Sequence, residues 1–265
     1  HLFAQFWYHT RLINRMGFLE HILMTPSHHR VHHAINPIYI DKNYSAIFIF
    51  WDKWFGTFQE ELPDVEPVYG VKKAVKTWNP VLINFMHNWQ LLKDAWHANS
   101  YWDKIRIWFM PTGWRPADVR EKFPISFIDD PSKQIKYTTE ASNSLQAWAW
   151  FQLTLHLAFQ FHLIALLPDL AYSDLLYYAI FIVLSIFAYT SLMDRHWLAV
   201  PFEGLKMLVG FGLIYHMNGW YLLDNAFSFA TTLMIGYLLL SFVLTVYFTY
   251  FEKAVAVTNR NTVVQ

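Results

Sequence analysis

The stretch SHHRVHH, Ser27 to His33, places His28, His29, His32 and His33 within seven residues of a chain that has 13 histidines and no cysteine. On a helix, side chains three and four positions apart share a face. His29, His32 and His33 would then project together, but His28 pairs with His32 by the same rule, so spacing alone does not choose between the sets. Three converging imidazoles repel as cations, whereas as neutral ligands of a divalent metal they are satisfied. Without thiolates, imidazole ligation suits iron, zinc, copper or nickel. Arg30 falls between the histidines and would point away or neutralise a nearby carboxylate. The competing reading is a solvated histidine face that binds nothing.

His1, Gln5 and His9 are each four residues apart and would stack on one face of an apolar helix. Polar groups there need partners, because burying them unpaired is costly. A metal, or groups bonded to its ligands, would provide them. Metal-bound imidazoles usually donate their second N–H to a carboxylate or carbonyl, and Glu20, Asp41 and Asp52 are the nearest acids in sequence.

The elements that must position these side chains follow from spacing. Residues 2–16 read as a helix stopped by Gly17, and Thr25 and Pro26 suit the N-cap and first position of the next one. A loop at 34–43 and a helix at about 44–55, ended near Gly56, come next. Residues 59–80 read as loop, 81–110 as amphipathic helices with basic and aromatic residues suited to a lipid–water interface, and 116–140 as solvent-facing. Four apolar stretches follow, at about 145–167, 175–193, 205–222 and 227–251. The second and fourth easily reach the roughly 20 residues a membrane span needs, and the third could be re-entrant.

Composition agrees with a membrane protein. Of 265 residues, 55% are hydrophobic, 19% aromatic and only 15% charged, against about 25% charged in soluble domains. A net charge of zero argues against nucleic acid as a partner. Arg195, Lys206, Lys253 and Arg260 flank the spans on one side, so the positive-inside rule puts them, with residues 1–140, in the cytoplasm. The expected division is 1–60, holding the histidines, 61–140, cytoplasmic and interfacial, 141–252, about four transmembrane helices, and 253–265, a cytoplasmic tail. His1 opens what reads as mid-helix, with no signal-peptide pattern, so an N-terminal part is expected to be missing.

HHRVHH followed by DKNYSAIFIFWDKWFGTF resembles the third histidine box and trailing signature of the fatty acid hydroxylase (sterol desaturase) superfamily. QFWYHT, TPSHHRVHH, IDKNYS and WDKWFGTF resemble most the members that cleave alkylglycerol ethers. The resemblance is strongest over residues 5–58, while PVYGV, the segment around His87, PTGWRP and LMDR follow more loosely. It implies an all-α integral membrane helical bundle with interfacial helices and a cytoplasmic histidine-rich metal site. It also implies a non-haem di-iron centre held by histidines, with the last box on His29, His32 and His33 and a further ligand at His9. Gln5, His28 and Asp52 are implied neighbours of those ligands, and no catalytic residue is expected apart from the ligands. The superfamily's first two boxes do not occur here and would lie upstream of His1, so the fragment alone is expected to be inactive.

The implied reaction is oxygen-dependent hydroxylation of a lipid C–H bond. Next to an ether oxygen it gives a hemiacetal that collapses to an aldehyde and a glycerol derivative. Tetrahydrobiopterin as electron donor rests on the resemblance alone, since no pterin motif is readable. The alternatives are a sterol, fatty acid or carotenoid hydroxylase or desaturase of the same superfamily, or a non-catalytic membrane protein with a degenerate or zinc-filled site. Trp51, Trp54 and Phe55 read as packing residues, Asp194 and Arg195 as an ion pair at a span boundary, and His87 and His97 as interfacial. His156, His162 and His216 read as hydrogen-bonded rather than ligating.

Overall fold

The computed structural model describes residues 6–128, 130–133, 135–139 and 141–252; His1, Gln5 and the expected tail 253–265 lie outside them. Among the described residues the chain is helical, with two isolated β-bridges and no longer strand. The α-helices run in order α1 (Pro26–His32), α2 (Phe50–Phe55), α3 (Pro80–His97), α4 (Tyr101–Arg106), α5 (Ala117–Lys122), α6 (Asn143–Ala165), α7 (Tyr172–Met193), α8 (Ala199–Met217), α9 (Leu223–Ala226) and α10 (Ala230–Tyr250). The chain divides into two compact units. One holds the described residues up to Val75 with Arg120–Lys136, the other Lys76–Val119 and the described residues from Tyr137 onward.

The first unit is short on helix and on apolar core. Its buried cluster is Val31, Ala34 and Tyr39, covered by Leu62 and Val65. Buried polar side chains organise the rest. Asn43, at φ 53°, donates to the carbonyls of His28 and Gln59 and accepts from the Gln59 amide. The Tyr39 hydroxyl donates to the Val65 carbonyl and accepts from the Leu62 amide. Asn36 bridges the carbonyl of Glu66 and the amide of Val68. Each bond removes the cost of leaving a buried backbone group unpaired.

Two expected helices are shorter than their apolar spacing suggested. Among the described residues of 2–16 only 6–8 are helical, because the carbonyls of Thr10, Ile13 and Asn14 accept bonds from Arg30. Gly17, at φ 58°, opens the 3₁₀ turn Gly17–His21 rather than ending a helix. Helix 44–55 shrinks to Phe50–Phe55, because Asp52 draws the amides of Tyr44 and Ser45 into a turn. Gly56, at φ 73°, ends it as read. Trp54 and Phe55 are 73% and 77% exposed among the described residues, and with Phe50 and Trp51 they stack on one another rather than pack inward.

The second unit has an aromatic core. Phe159, Tyr178, Phe181, Leu213, Trp220, Tyr221 and Leu238 are buried together, with Tyr178 and Tyr221 stacked at 4.4 Å. Helix starts carry their caps: Asn79 accepts from the amides of Val81 and Leu82, and Ser142 from that of Leu145. At Gly210 a Cβ would lie 2.7 Å from Leu238 Cδ1, so α8 and α10 meet there over a missing side chain. Of the third apolar stretch, residues 205–217 lie in one unbroken helix, α8, and 218–222 follow it as a turn. Among the described contacts Asp194 and Arg195 bond to other residues. Asp194 accepts from Thr77, the Trp78 amide and Tyr137, whereas Arg195 binds Glu252 and the Phe248 carbonyl.

Of the four long helices in the expected stretches, α7 and α10 are long and apolar enough to cross a membrane by composition. Gln152 of α6 and Glu203 and Lys206 of α8 are buried and reach α10 inside the bundle or pair with one another. Lys206 of α8 pairs with Glu203 and donates to Ser241 of α10 at 2.8 Å. Gln152 of α6 donates to Ser241 at 2.9 Å and accepts from Tyr237 at 2.7 Å. Glu203 and Lys206 are 0% and 1% exposed, and breaking such a pair from one side costs about 3–5 kcal/mol, whereas replacing both partners by apolar groups is often neutral. Lys206→Met is therefore expected to lower the thermal unfolding midpoint of the detergent-solubilised protein sharply, and Glu203→Leu/Lys206→Met to recover most of it. Equal loss in the single and double variants would show that the charge pair is not the cause.

Candidate metal centre

Helix α1 starts as its sequence suggests, with Thr25 extended at the N-cap and Pro26 at the first position. The Thr25 side chain makes no capping bond and instead meets Ser27 Oγ at 3.1 Å. One turn along, His29 and His33 face the same side. His9, in a bend beyond residues 6–8, reaches the same point. The Nε2 atoms of His9, His29 and His33 lie 2.8 Å (His9–His29), 3.0 Å (His29–His33) and 3.2 Å (His9–His33) apart. Imidazole nitrogens held about 2.1 Å from one metal stand about 3.0 Å apart at right angles, so this spacing fits a shared ion. Without a proton or cation between them, three lone pairs turned on one point repel.

The electrostatics favour the neutral form of His29 and His33. Burial, then the neighbouring His33, His9 and His32, lower the His29 pKa to about 3. Burial, His32 and His9 lower that of His33. The ring of Tyr8 packs on His29 at 4.6 Å and its hydroxyl donates to the Ala46 carbonyl. A cavity of about 410 Å³ opens beside the three histidines, walled by Tyr8, Arg11, Tyr69 and Val71.

His32 lies outside this trio. Its ring stacks on His29 at 5.6 Å, and Nδ1 is 3.3 Å from the Lys42 carbonyl. A carbonyl only accepts, so Nδ1 is the donor in this contact, and Nε2 is the ring nitrogen left for a metal. His28 sits elsewhere on α1. It is buried, with Nδ1 3.3 Å from Thr25 Oγ1 and its ring against the edge of Phe58. Burial lowers its pKa, with Glu20 opposing. Its described contacts are to the loop network and not to the trio.

Asp52 bonds no histidine among its described contacts. Its carboxylate accepts from the Tyr44 amide at 2.8 Å, the Ser45 amide at 3.0 Å and Thr57 Oγ1 at 2.6 Å. Burial pushes its carboxyl up, but the bonds from Ser45, Thr57 and Tyr44 outweigh this and hold it below the usual range. It shapes the loop that presents the Lys42 carbonyl to His32 and the Tyr44 ring beside it at 6.2 Å.

Arg30 does both things that spacing allowed. It turns away from the trio and is 9% exposed. Its Nε and one terminal nitrogen bind the Glu61 carboxylate, and the remaining N–H groups reach the carbonyls of Thr10, Ile13 and Asn14 at 2.8–3.2 Å. Glu61, Tyr8 and Tyr69 were not singled out by motif. The acidic run at Glu60–Glu61 was the one visible signal for Arg30's partner. Elsewhere, His156 Nδ1 meets the Gln152 carbonyl at 2.5 Å, His162 the Tyr178 hydroxyl at 3.1 Å and His216 the Asp174 carboxylate at 3.0 Å. Among the described residues His9, His29 and His33 form the group of side chains that could share a metal ion.

Residues 1–57, the segment carrying this trio, match the fatty acid hydroxylase family. The chain is similar to the alkylglycerol monooxygenase of Homo sapiens, 35% identical over 208 residues, which cover 78% of this chain and 46% of the relative. It is 32% identical over 209 residues to the enzyme of that name from Xenopus tropicalis, again 78% and 46%. With that of Caenorhabditis elegans it shares 32% over 213 residues, 74% of this chain and 42% of the relative. The resemblance read from the histidine motifs is thus borne out. The chain spans less than half the length of these relatives. No solved structure matches it significantly.

The His29 shift has a signed consequence. Below its ordinary pKa of 6.5 the unfolded chain binds a proton there, and the folded chain does not until about pH 3, so acid favours unfolding. Stability of the metal-free protein is expected to be full above pH 6.5 and to fall as pH drops towards 3. His29→Gln should flatten that dependence in unfolding measured by circular dichroism. An unchanged slope would contradict a neutral His29.

Proposed function

We propose that this chain is part of an integral membrane monooxygenase that hydroxylates a lipid C–H bond with dioxygen at a non-haem iron centre, and that its substrate is an alkylglycerol ether. The observation that carries the reading is the convergence of three Nε2 atoms within 3.2 Å inside the segment that matches the fatty acid hydroxylase family. His9, His29 and His33 would hold one iron ion, with His32 Nε2 turned to a second ion of a di-iron pair. Bound iron would supply dioxygen activation, which no side chain here can perform.

The chain's own groups do the rest. Neutral His29 and His33 offer lone pairs at pH 7 rather than protons. The Lys42 carbonyl holds the His32 tautomer. Tyr8 covers one face of His29, and the adjoining cavity gives a lipid chain an apolar wall beside the metal. Hydroxylation of the carbon next to an ether oxygen gives a hemiacetal that breaks into an aldehyde and a glycerol derivative. The second oxygen atom leaves as water, taking two electrons and two protons from a donor, for which we propose tetrahydrobiopterin. The two apolar helices support residence in a bilayer, and the basic residues beside the spans support a cytoplasmic metal site.

The full-length protein is expected to bind about two irons per chain and to release fatty aldehyde from an alkylglycerol only with oxygen and reduced pterin. His33→Ala and His32→Ala should abolish turnover, whereas His28→Ala should retain more of it. Zinc alone, with no activity after iron loading, would overturn the reading. Turnover of a sterol or free fatty acid but not of an ether would move the substrate assignment.

A further inference from the structure

A guanidinium offers five N–H donors in one plane, and Arg30 uses all of them. Its side chain is 9% exposed, so each donor left unpaired would be costly. Two directions are taken by the Glu61 carboxylate, at 2.9 and 3.0 Å from Nε and 2.5 Å from a terminal nitrogen. The others go to backbone carbonyls at Thr10 (3.1 Å), Ile13 (2.8 Å) and Asn14 (3.2 Å). Those carbonyls belong to the segment that begins one residue after His9, whereas Arg30 is the next residue after His29. Glu61 is itself anchored, since the neighbouring Gln59 is pinned by Asn43 and the Leu62 amide by Tyr39. Its own carbonyl accepts from Arg15 at 3.0 Å.

We propose that Arg30 and Glu61 form a positioning clamp that delivers His9 to the metal centre. Helix α1 supplies His29 and His33 by spacing alone. His9 is 20 residues from His29, and nothing in helical geometry brings it within 2.8 Å of that ring. The clamp does so by giving non-helical carbonyls a charged, planar set of donors. Lysine cannot replace arginine here, because a single ammonium cannot span a carboxylate and three carbonyls. Loss of the clamp loosens the segment that follows His9, with Tyr8 on its other side still tied to Ala46, while His29 and His33 keep their places on α1. This rests on the metal-centre reading above, so its test has one arm with metal and one without.

In the first arm, full-length protein and its Arg30→Lys, Glu61→Gln, His9→Ala and Arg30→Lys/His9→Ala variants are titrated with Co(II), followed by the absorption of the bound ion. Circular dichroism monitors the fold. Arg30→Lys and Glu61→Gln are expected to weaken binding roughly 10- to 100-fold, the range seen when groups that orient metal ligands are removed. The double variant should bind no more weakly than His9→Ala, because the clamp acts through His9. Wild-type affinity in folded Arg30→Lys, or losses that multiply in the double variant, would overturn the clamp. Glu61→Gln, the milder change, decides the matter if Arg30→Lys fails to fold. In the second arm, metal-free protein is exposed to trypsin, whose sites Arg11 and Arg15 lie in the clamped segment. Cleavage there should accelerate at least tenfold in the clamp variants, and an unchanged rate would overturn the clamp whatever the metal result. If His33→Ala leaves Co(II) binding intact, the metal reading fails independently of Arg30.

Discussion

The cationic plane of Arg30 is the constraint on which the first unit depends. It is buried, so it must be neutralised and fully hydrogen-bonded. Glu61 meets the first need and helps meet the second; three carbonyls between Thr10 and Asn14 complete it. The consequences spread outward. The segment after His9 leaves the helix and turns its carbonyls to Arg30. His9 is left at a bend facing His29 and His33. The chain around Glu61 must be held rigid, which Asn43 and Tyr39 do through paired backbone bonds.

The two units reach order by opposite routes. The first has little apolar core and depends on buried side chains bonded to backbone, as Asp52 does with Tyr44 and Ser45. Directional bonds specify distances to a few tenths of an ångström, which a set of imidazoles around one ion requires. The second packs aromatic rings, Tyr178, Phe181, Trp220 and Tyr221 among them, and helix backbones that close over Gly210. Its polar residues are few and gathered. Gln152, Lys206, Tyr237 and Ser241 are linked by hydrogen bonds, and Lys206 pairs with the buried Glu203. Gln152 on α6 and Glu203 and Lys206 on α8 contribute to making those two helices look less like membrane spans in composition than α7 and α10 do.

Much of the long-helix architecture was legible because helices of about 20 residues average their side chains into a clear apolar signal. The four stretches at 145–251 correspond to α6, α7, α8 and α10. Thr25 and Pro26 at the start of α1 and the terminator Gly56 are local signals, and they stand at the helix ends. The shorter elements were misread for one reason. Apolar spacing over residues 2–16 and 44–55 suggested helix, but side chains distant in sequence, Arg30 in the first case and Asp52 in the second, claimed backbone groups there. Trp51, Trp54 and Phe55 read as packing residues, and their rings pack on one another, while Trp54 and Phe55 stay exposed among the described residues because a helix of a turn and a half offers only one face to bury.

By itself the sequence determined the chemistry available: imidazoles without thiolates, His29 and His33 one helical turn apart, a membrane-like composition and a histidine signature shared with the fatty acid hydroxylase family. Helical periodicity and residue type are properties of neighbours along the chain, so they can be read directly. Spacing along the chain left open which histidines meet, only the resemblance named His9, and the tertiary structure decided the grouping. It brought His9 to His29 and His33, turned His32 to the Lys42 carbonyl and buried His28 against Thr25 and Phe58. Those choices depend on where a buried charge finds its counter-charge and its carbonyls. That pairing joins residues 20 and 31 positions apart, such as Arg30 with Thr10 and with Glu61, and no local pattern encodes it.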